Sequence, residues 1–371
     1  DYTAKNVEYI EKTYEQVGKD IKAFGTGLLN LDLMGERIVV VGKNRYEWCI
    51  SYLATTCSNM VIVPIDKALP DIEMQRLIER SEAKAIIFDE KYLETIKKVQ
   101  EKENSNLKTL ICMDNIQEKG IKTFNEILEE GRNQIKNGDQ KYDNIEIDEN
   151  KMSIMLFTSG TTNEPKAVML SQANICANIS NIACWVKLYP TDVLLSFLPI
   201  HHTFECTITF LYGFYSGSQV AFCDGLKHIQ QNLKEYKVSV FVAVPLVLET
   251  MYKKIQKAIE EQGKTGLIKK MTKISNTLLK AKIDIRKIVF KQILDNFGGH
   301  LRVVLYGAAP MNKATIIGYN NLGISLVQGY GLTETSPVVT AETDKEKRPG
   351  SIGLALANLN LKIANPDNEG V

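Results

Sequence analysis

The chain has 371 residues, 44% hydrophobic and 24% charged, with 45 basic residues against 44 acidic ones and a net charge of +1. That length can bury a large core and divide into two or three subdomains, while the even charge balance, with no basic segment interleaved with aromatics, gives no reason to expect nucleic acid as a partner. The longest apolar region, 208–222, is broken by Gly213, Ser216, Gly217, Ser218 and Gln219, too interrupted to span a bilayer.

From the start of the chain, Val7, Ile10, Tyr14, Val17, Ile21, Phe24 and Leu28 recur at helical spacing and predict one amphipathic helix. The run 37–41 reads as a buried strand, 46–57 as a helix, 61–64 as a second strand, and 71–81 as a helix with Asp71 near its cap. Short strands at 85–88 and 109–112, separated by a helix, continue an alternation that argues for a doubly wound α/β sheet. A polar stretch, 137–150, reads as a linker that delivers the chain to the apolar run 154–157.

Directly after that run comes the most informative segment, Thr158-Ser159-Gly160-Thr161-Thr162-Asn163-Glu164-Pro165-Lys166. It places four hydroxyls, a glycine and a lysine within nine residues at the end of a predicted strand. Hydroxyls supply donors to phosphate oxygens, Gly160 lets backbone approach closely, and Lys166 adds a point charge. Phosphate binding is the favoured reading over a plain Ser/Thr-rich surface turn. The segment is not a Walker loop, because no glycine precedes Lys166 and Ala167 follows it.

A second alternating block has strands predicted at 193–198, 219–222, 239–243, 301–306 and 325–327, with a long helical region across 246–296. Its centre, 253–291, holds twelve Lys or Arg against three acids, which reads first as a solvated helical insertion and second as a basic surface for anionic lipid or a phosphorylated cofactor. Segments 350–353 and 359–363 look like short β-structure. The seven cysteines are scattered, mostly within apolar stretches, with no CxxC or Cys/His cluster; buried, reduced thiols in a cytoplasmic protein are expected. No signal-peptide pattern is read at the start.

Three more clusters accompany the hydroxyl-rich loop. Tyr306-Gly307-Ala308-Ala309-Pro310 ends a predicted strand with small residues against which a flat ring could lie. Gln328-Gly329-Tyr330-Gly331-Leu332-Thr333-Glu334-Thr335 follows another strand and combines glycines, a stacking aromatic, a hydroxyl and a carboxylate. Leu198-Pro199-Ile200-His201-His202-Thr203-Phe204-Glu205 places paired histidines after a third. All sit at the presumed carboxyl ends of strands, where open α/β sheets bind ligands. Taken alone, His201 and His202 are equally well read as structural histidines, and Glu334 as a surface carboxylate.

Together these motifs resemble the adenylate-forming (AMP-binding) superfamily of acyl-CoA synthetases, luciferases and peptide-synthetase adenylation domains, across essentially the whole chain. The 198–205 motif and the long insertion after Pro245 are similar to the long-chain acyl-CoA synthetase branch, as are Asn44-Arg45-Tyr46-Glu47-Trp48 and Val63-Pro64-Ile65-Asp66. Asn163 stands where the family usually has glycine, as does Ala167; Asn tolerates a left-handed backbone, so the loop can still form.

The resemblance implies two doubly wound αβαβα subdomains, 1–190 and 191–345, and the start of a small β-barrel subdomain at 346–371. It implies ATP, Mg²⁺ and coenzyme A as cofactors and a fatty acid as the partner substrate. Thr158, Ser159, Gly160, Thr161, Thr162 and Lys166 would surround the β and γ phosphates, and Glu334 with Thr158 would hold Mg²⁺. Adenine would lie between Gly307, Ala308, Ala309, Pro310 and Tyr330, with Gln328, Gly329, Gly331 and Thr333 lining the nucleotide. Lys166, His202 and Glu334 would be the catalytic residues, His202 orienting the reacting carboxylate. Phe204, Phe210, Tyr212, Phe214, Val242 and Val244 are candidates for an acyl tunnel, although plain core is the commoner role for such residues.

In this family a ribose-binding aspartate, a hinge and a small lysine-bearing C-terminal domain would follow Val371, so a truncated chain with very poor turnover is expected. Peripheral membrane contact and homodimer formation are both compatible with the sequence. Ligation of another carboxylic acid, transfer to a carrier protein, and a non-catalytic nucleotide- or acyl-binding module are the competing readings.

Overall fold

A computed structural model describes residues 9–158, 164–343 and 347–365. The chain forms two compact units, one of Asp1–Cys176 with Pro199–Cys206, the other of Ala177–Leu198 with Thr207–Val371.

The first unit runs α1 (Tyr14–Leu29), β1 (Arg37–Val41), α2 (Tyr46–Thr56), β2 (Val61–Pro64), α3 (Asp71–Ser81), β3 (Ala85–Phe88), α4 (Leu93–Gln100), β4 (Thr109–Cys112), β5 (Lys122–Thr123), α5 (Phe124–Lys136), β6 (Met152–Thr158) and β7 (Lys166–Ser171), and α6 (Gln172–Ala183) begins within it. Its seven-stranded sheet has the order β5-β4-β3-β1-β2-β6-β7, parallel except for β7, which pairs antiparallel with β6. Strands covered on both faces need apolar residues at every position. β1 meets that need: Val39 and Val41 pack with Met74, Leu77 and Ile78 of α3 and Ile96 and Val99 of α4, while the alternate residues Ile38 and Val40 are equally buried.

On the other layer α1 meets α5. A Cβ on Gly131 would sit 1.8 Å from the carbonyl oxygen of Ala23, and one on Gly27 would sit 2.5 Å from that of Ile127. Only glycine permits this approach, which also stacks Phe24 on Phe124 at 4.4 Å between ring centroids. The first helix starts at Tyr14 rather than at Val7, because Thr13 and Gln16 form a capping box there; Val7 lies outside the described residues.

The carboxyl ends of three strands of this sheet are tied by one guanidinium. Arg45, just after β1, donates to Glu47 at 2.6 Å, to Asp89 after β3 at 3.1 Å, and to Asp114 after β4 at 2.7 Å. Burial works against the charge on Arg45, but the bonds to Glu47 and Asp114 outweigh it and raise its pKa.

In the second unit the elements are β8 (Val193–Ser196), α7 (Tyr212–Tyr215), β9 (Gln219–Phe222), α8 (Ile229–Glu235), β10 (Val240–Ala243), α9 (Pro245–Glu261), α10 (Thr265–Lys280), α11 (Arg286–Val289), α12 (Lys291–Leu294), β11 (Val303–Tyr306), α13 (Lys313–Asn321), β12 (Ser325–Gly331), β13 (Val338–Ala341) and β14 (Leu354–Ala355). The sheet order is β14-β13-β12-β11-β10-β8-β9, parallel from β12 through β9, with β13 and β14 added antiparallel. Phe241 and Ala243, Val304 and Tyr306, and Leu326 pack one face against Leu233 of α8, Leu248 of α9 and Ile316 and Tyr319 of α13.

Three expectations need correction. The helical region across 246–296 is not continuous: Gly263 adopts φ +64 after α9, a left-handed stop, and α10 to α12 follow as separate pieces. Its lysines lie on largely solvated helices, with Pro245 and Leu248 the buried residues of α9 and Ser275 that of α10. Segment 359–363 forms no strand; its alternation finds no partner, and Leu361 and Ile363 are exposed. Not all thiols are buried, since Cys176 and Cys184 are exposed, although all seven are free. Among the described residues no helix is long and apolar enough to cross a membrane.

At the amino ends of the second sheet Asp192 plays a tying role like that of Arg45. Its carboxylate accepts from Arg302 Nε at 2.8 Å, from the Ser239 hydroxyl at 2.7 Å and from the Tyr189 N–H at 2.8 Å. Burial alone would raise the Asp192 pKa; the Arg302, Ser239 and Tyr189 bonds overcome it and hold the pKa below the ordinary carboxylate value. A depressed folded-state pKa gives stability that is present above the unfolded value, about 3.9, and lost as pH falls through the folded one. Asp192→Asn should therefore lower stability at neutral pH by about 1–3 kcal/mol and flatten its decline in acid, both read from urea melts across pH.

Candidate active site

Each predicted motif can be placed on its own unit. In the first, Thr158 closes β6 and Lys166 opens β7, and the two are direct partners in the antiparallel ladder. The hydroxyl-rich segment therefore joins the arms of a β-hairpin. Ser159, Gly160, Thr161, Thr162 and Asn163 lie outside the described residues. Thr158 is half-buried and Lys166 exposed. Glu164, at the far end of the segment, pairs with Arg76 at 3.3 Å and Arg80 at 3.2 Å on α3. Such exposed pairs are worth about 0–1 kcal/mol.

The histidine motif belongs to the same unit. The Ile200 N–H donates to Asn44 Oδ1 at 3.3 Å, and the His202 N–H donates to the Pro199 carbonyl at 3.0 Å. His201 Nε2 lies 3.7 Å from Asp66 Oδ2, and its ring sits 4.0 Å from that of His202, tilted by 44°. The two landmark segments after β1 and β2 thus converge on the histidines through Asn44 and Asp66, which the sequence flagged without a role. Burial, the neighbouring His202 and Lys67 push the His201 pKa down to about 3 against the pull of Asp66. That of His202 is also lowered, chiefly by desolvation. Both rings are neutral at physiological pH, so neither is a standing proton donor. A π-helix, Glu205–Leu211, follows at once, a wide turn often found beside functional residues.

In the second unit, β11 delivers the small-residue segment. Gly307 is buried, Ala308, Ala309 and Pro310 are exposed, and Ala308 adopts φ +69. A left-handed alanine costs energy that its surroundings must supply, and such strain clusters at ligand sites. The result is a shelf of exposed backbone with little side chain in the way.

Beside it, β12 extends through Gly331, so Gln328 to Gly331 lie within the strand and only Leu332 to Thr335 follow it. β13 makes the difference: Gly329 pairs with Ala341 and Tyr330 with Thr340, and a bulge falls between Tyr330 and Gly331. A Cβ on Gly331 would meet the Pro337 carbonyl oxygen at 1.7 Å, so no other residue fits that crossing. Gln328 is held at its side-chain oxygen and at both backbone groups. Its side chain accepts from the Tyr306 hydroxyl at 2.9 Å, its N–H donates to Glu342 Oε2 at 3.1 Å, and its carbonyl accepts from the Glu342 N–H at 2.8 Å. Tyr330 and Glu334 are exposed and Thr333 half-buried.

Asn178 of α6 holds the turn that presents Glu334, and sequence reasoning missed it. Its Nδ2 donates to the carbonyls of Val338 at 2.7 Å and Thr335 at 3.3 Å, and its Oδ1 accepts from the Val338 N–H at 3.3 Å. Nothing local in the sequence marks this residue, whose partners lie some 160 positions away. Among the tunnel candidates, Phe210, Tyr212 and Val242 are buried, and the Tyr212 hydroxyl accepts from the Leu188 N–H at 3.2 Å. Phe204, Phe214 and Val244 are half-buried.

Residues 1–371 match the family described as AMP-binding enzyme over their whole length. The chain belongs to this family. Among AMP-binding enzymes, the mouse long-chain-fatty-acid–CoA ligase 6 is 29% identical over 382 residues, which is 96% of this chain and 54% of that protein. Long chain acyl-CoA synthetase 4 of Arabidopsis thaliana is 26% identical over 382 residues, 96% of this chain and 57% of that protein. The chain spans about half the length of the curated relatives it matches. A long-chain-fatty-acid–CoA ligase from Archaeoglobus fulgidus shares the fold with a TM-score of 0.75 at 19% identity, covering 99% of this chain and 67% of that one. The two parallel-dominated sheets are those of the large domain of adenylate-forming enzymes.

Asn178→Ala would leave the buried Val338 N–H and carbonyl without their side-chain partner. We expect a loss of about 2–3 kcal/mol by denaturant melting, with faster amide exchange at 333–338 as the local signature.

Proposed function

We propose that the full-length protein is an ATP-dependent acid–thiol ligase acting on long- or medium-chain fatty acids. The observation that carries this reading is Glu334, an exposed carboxylate presented on a turn locked by Asn178, next to a strand that ends in the strained Ala308 shelf. A surface acid of no consequence would need neither device. Membership of the AMP-binding family supports adenylation, and the long-chain ligases among its relatives support the substrate class.

In the first half-reaction a carboxylate oxygen attacks the α-phosphorus of ATP, the bond to the bridging oxygen breaks, and pyrophosphate leaves with that electron pair. In the second a thiolate sulfur attacks the acyl carbon and AMP departs, giving acyl-CoA. Phosphoryl transfer asks the protein chiefly for positioning and charge stabilisation. Lys166 and the hydroxyls of 158–162 suit the phosphates. The shelf of Gly307 to Pro310, with Tyr330, suits the adenine face, and Gly329, Gly331 and Thr333 leave room for the nucleotide. Gln328 would line the nucleotide from a strand position fixed by its bonds to Tyr306 and Glu342. His202 orients the acid; a fatty carboxylate arrives ionised and the imidazole is neutral, so no proton transfer is needed. Mg²⁺, a hard cation that prefers oxygen, fits Glu334 and would neutralise charge on the leaving phosphates.

Pyrophosphate exchange by the full-length protein should depend on fatty acids; exchange with aryl or amino acids alone would reject the substrate class. Replacing Glu334 by Gln should lower Mg²⁺-dependent exchange by about a hundredfold or more without shifting the melting temperature. Full exchange activity in that variant would remove Glu334 from its metal role.

A further inference from the structure

The histidine motif offers a second chemistry, independent of ATP. Asp66, His201 and His202 each present one donor atom, and these atoms all lie within 4.8 Å of one another. Tetrahedral Zn²⁺ with bonds of about 2.0–2.1 Å holds its ligand atoms roughly 3.3 Å apart. The His201–Asp66 separation of 3.7 Å is therefore only a few tenths of an ångström too wide. The carboxylate is already aimed, because its Oδ1 accepts from the Ala68 N–H at 2.8 Å, the kind of outer bond that orients a metal ligand. The histidine backbone is held too: Asn44 accepts from Ile200, and the Cys206 N–H donates to the His202 carbonyl at 3.0 Å.

The geometry points to a divalent transition-metal site formed by Asp66, His201 and His202, three protein ligands with a fourth position open to water. Two imidazoles and one carboxylate select borderline ions such as Zn²⁺ and Co²⁺ over Mg²⁺, which prefers an all-oxygen shell. The site is thus chemically distinct from the Glu334 carboxylate. His201 is 11% and Asp66 32% exposed at the side chain, and His202 is exposed, so an ion can enter without opening the fold. Lys67 adjoins His201 and opposes added positive charge, which keeps the site weaker than a closed structural one. If His202 orients the acid as proposed above, ion binding withdraws it and inhibits ligation. That consequence rests on the proposed function; the binding itself does not.

The test is a titration of the metal-stripped full chain with Co²⁺ alone, followed by visible absorption and calorimetry. One ion per chain should bind, with ligand-field bands and no sulfur charge-transfer band. The affinity should fall at least about tenfold in Asp66→Asn and in His201→Gln, and should not change in a Cys176→Ser, Cys184→Ser double variant. Melting curves establish that each variant is folded, and Asp66→Asn, which preserves shape, decides alone if His201→Gln is not. Absence of saturable binding, a thiolate charge-transfer band, or affinity unchanged in the folded variants would overturn the assignment. Because no nucleotide or acid is present, that failure would leave the ligase reading untouched.

Discussion

The Arg45 guanidinium is the interaction on which the first unit most depends. Three carboxylates meet on it, one from its own neighbourhood and two from segments distant in sequence: Glu47 in the first turn of α2, Asp89 after β3 and Asp114 after β4. The planar fork of Arg spreads its donors over three nitrogens and so reaches acceptors on different sides, whereas a lysine would have to gather them around one. Asp89 in turn accepts from the Lys43 N–H at 2.7 Å, so the backbone leaving β1 is fixed on both sides of Asn44. Asn44 can then hold the Ile200 N–H, and the histidines inherit their position from this chain of bonds.

The second unit solves a similar problem with buried carboxylates. Asp192 gathers β8, β10 and the approach to β11 at the amino ends of the strands, while Glu342 bridges the Gln328 and Arg348 N–H groups at the carboxyl ends. Rigid strand ends allow the connecting segments to carry strain. Ala308 in a left-handed conformation and the Gly331 crossing, where one methyl group would be too many, both sit at such ends. Preorganisation of this kind places the energetic cost in the fold, where a ligand need not supply it.

Much of this was legible in the amino-acid sequence. Strands buried on both faces, such as β1 and β3, read as apolar runs because every position must be apolar, and the motifs fell on the expected strands. Most of what the sequence does not show depends on distant partners. β12 continues through Gly329-Tyr330-Gly331, a string that reads as a turn, because β13 pairs with it. β7 was unread because its exposed residues Lys166 and Ala167 follow a loop-like composition. α5 was missed despite the Thr123 and Glu126 capping box, a local signal that was there to be used. For the site, the motif residues could be named, but Asn44 and Asp66 were flagged without a role and Asn178 and Glu342 not at all. Asn178, Asp66, Asn44 and Glu342 act on groups whose proximity only the folded chain reveals.

The segment 199–206 lies with the first unit although both of its flanks lie with the second. The polypeptide consequently passes from one unit to the other at 176/177, 198/199 and 206/207, and no single cut yields two self-sufficient halves. Any exchange of parts between this protein and a relative has to move the histidine segment with the N-terminal portion, as an inserted patch, or it will carry away the ring pair that Asn44 and Asp66 are built to receive.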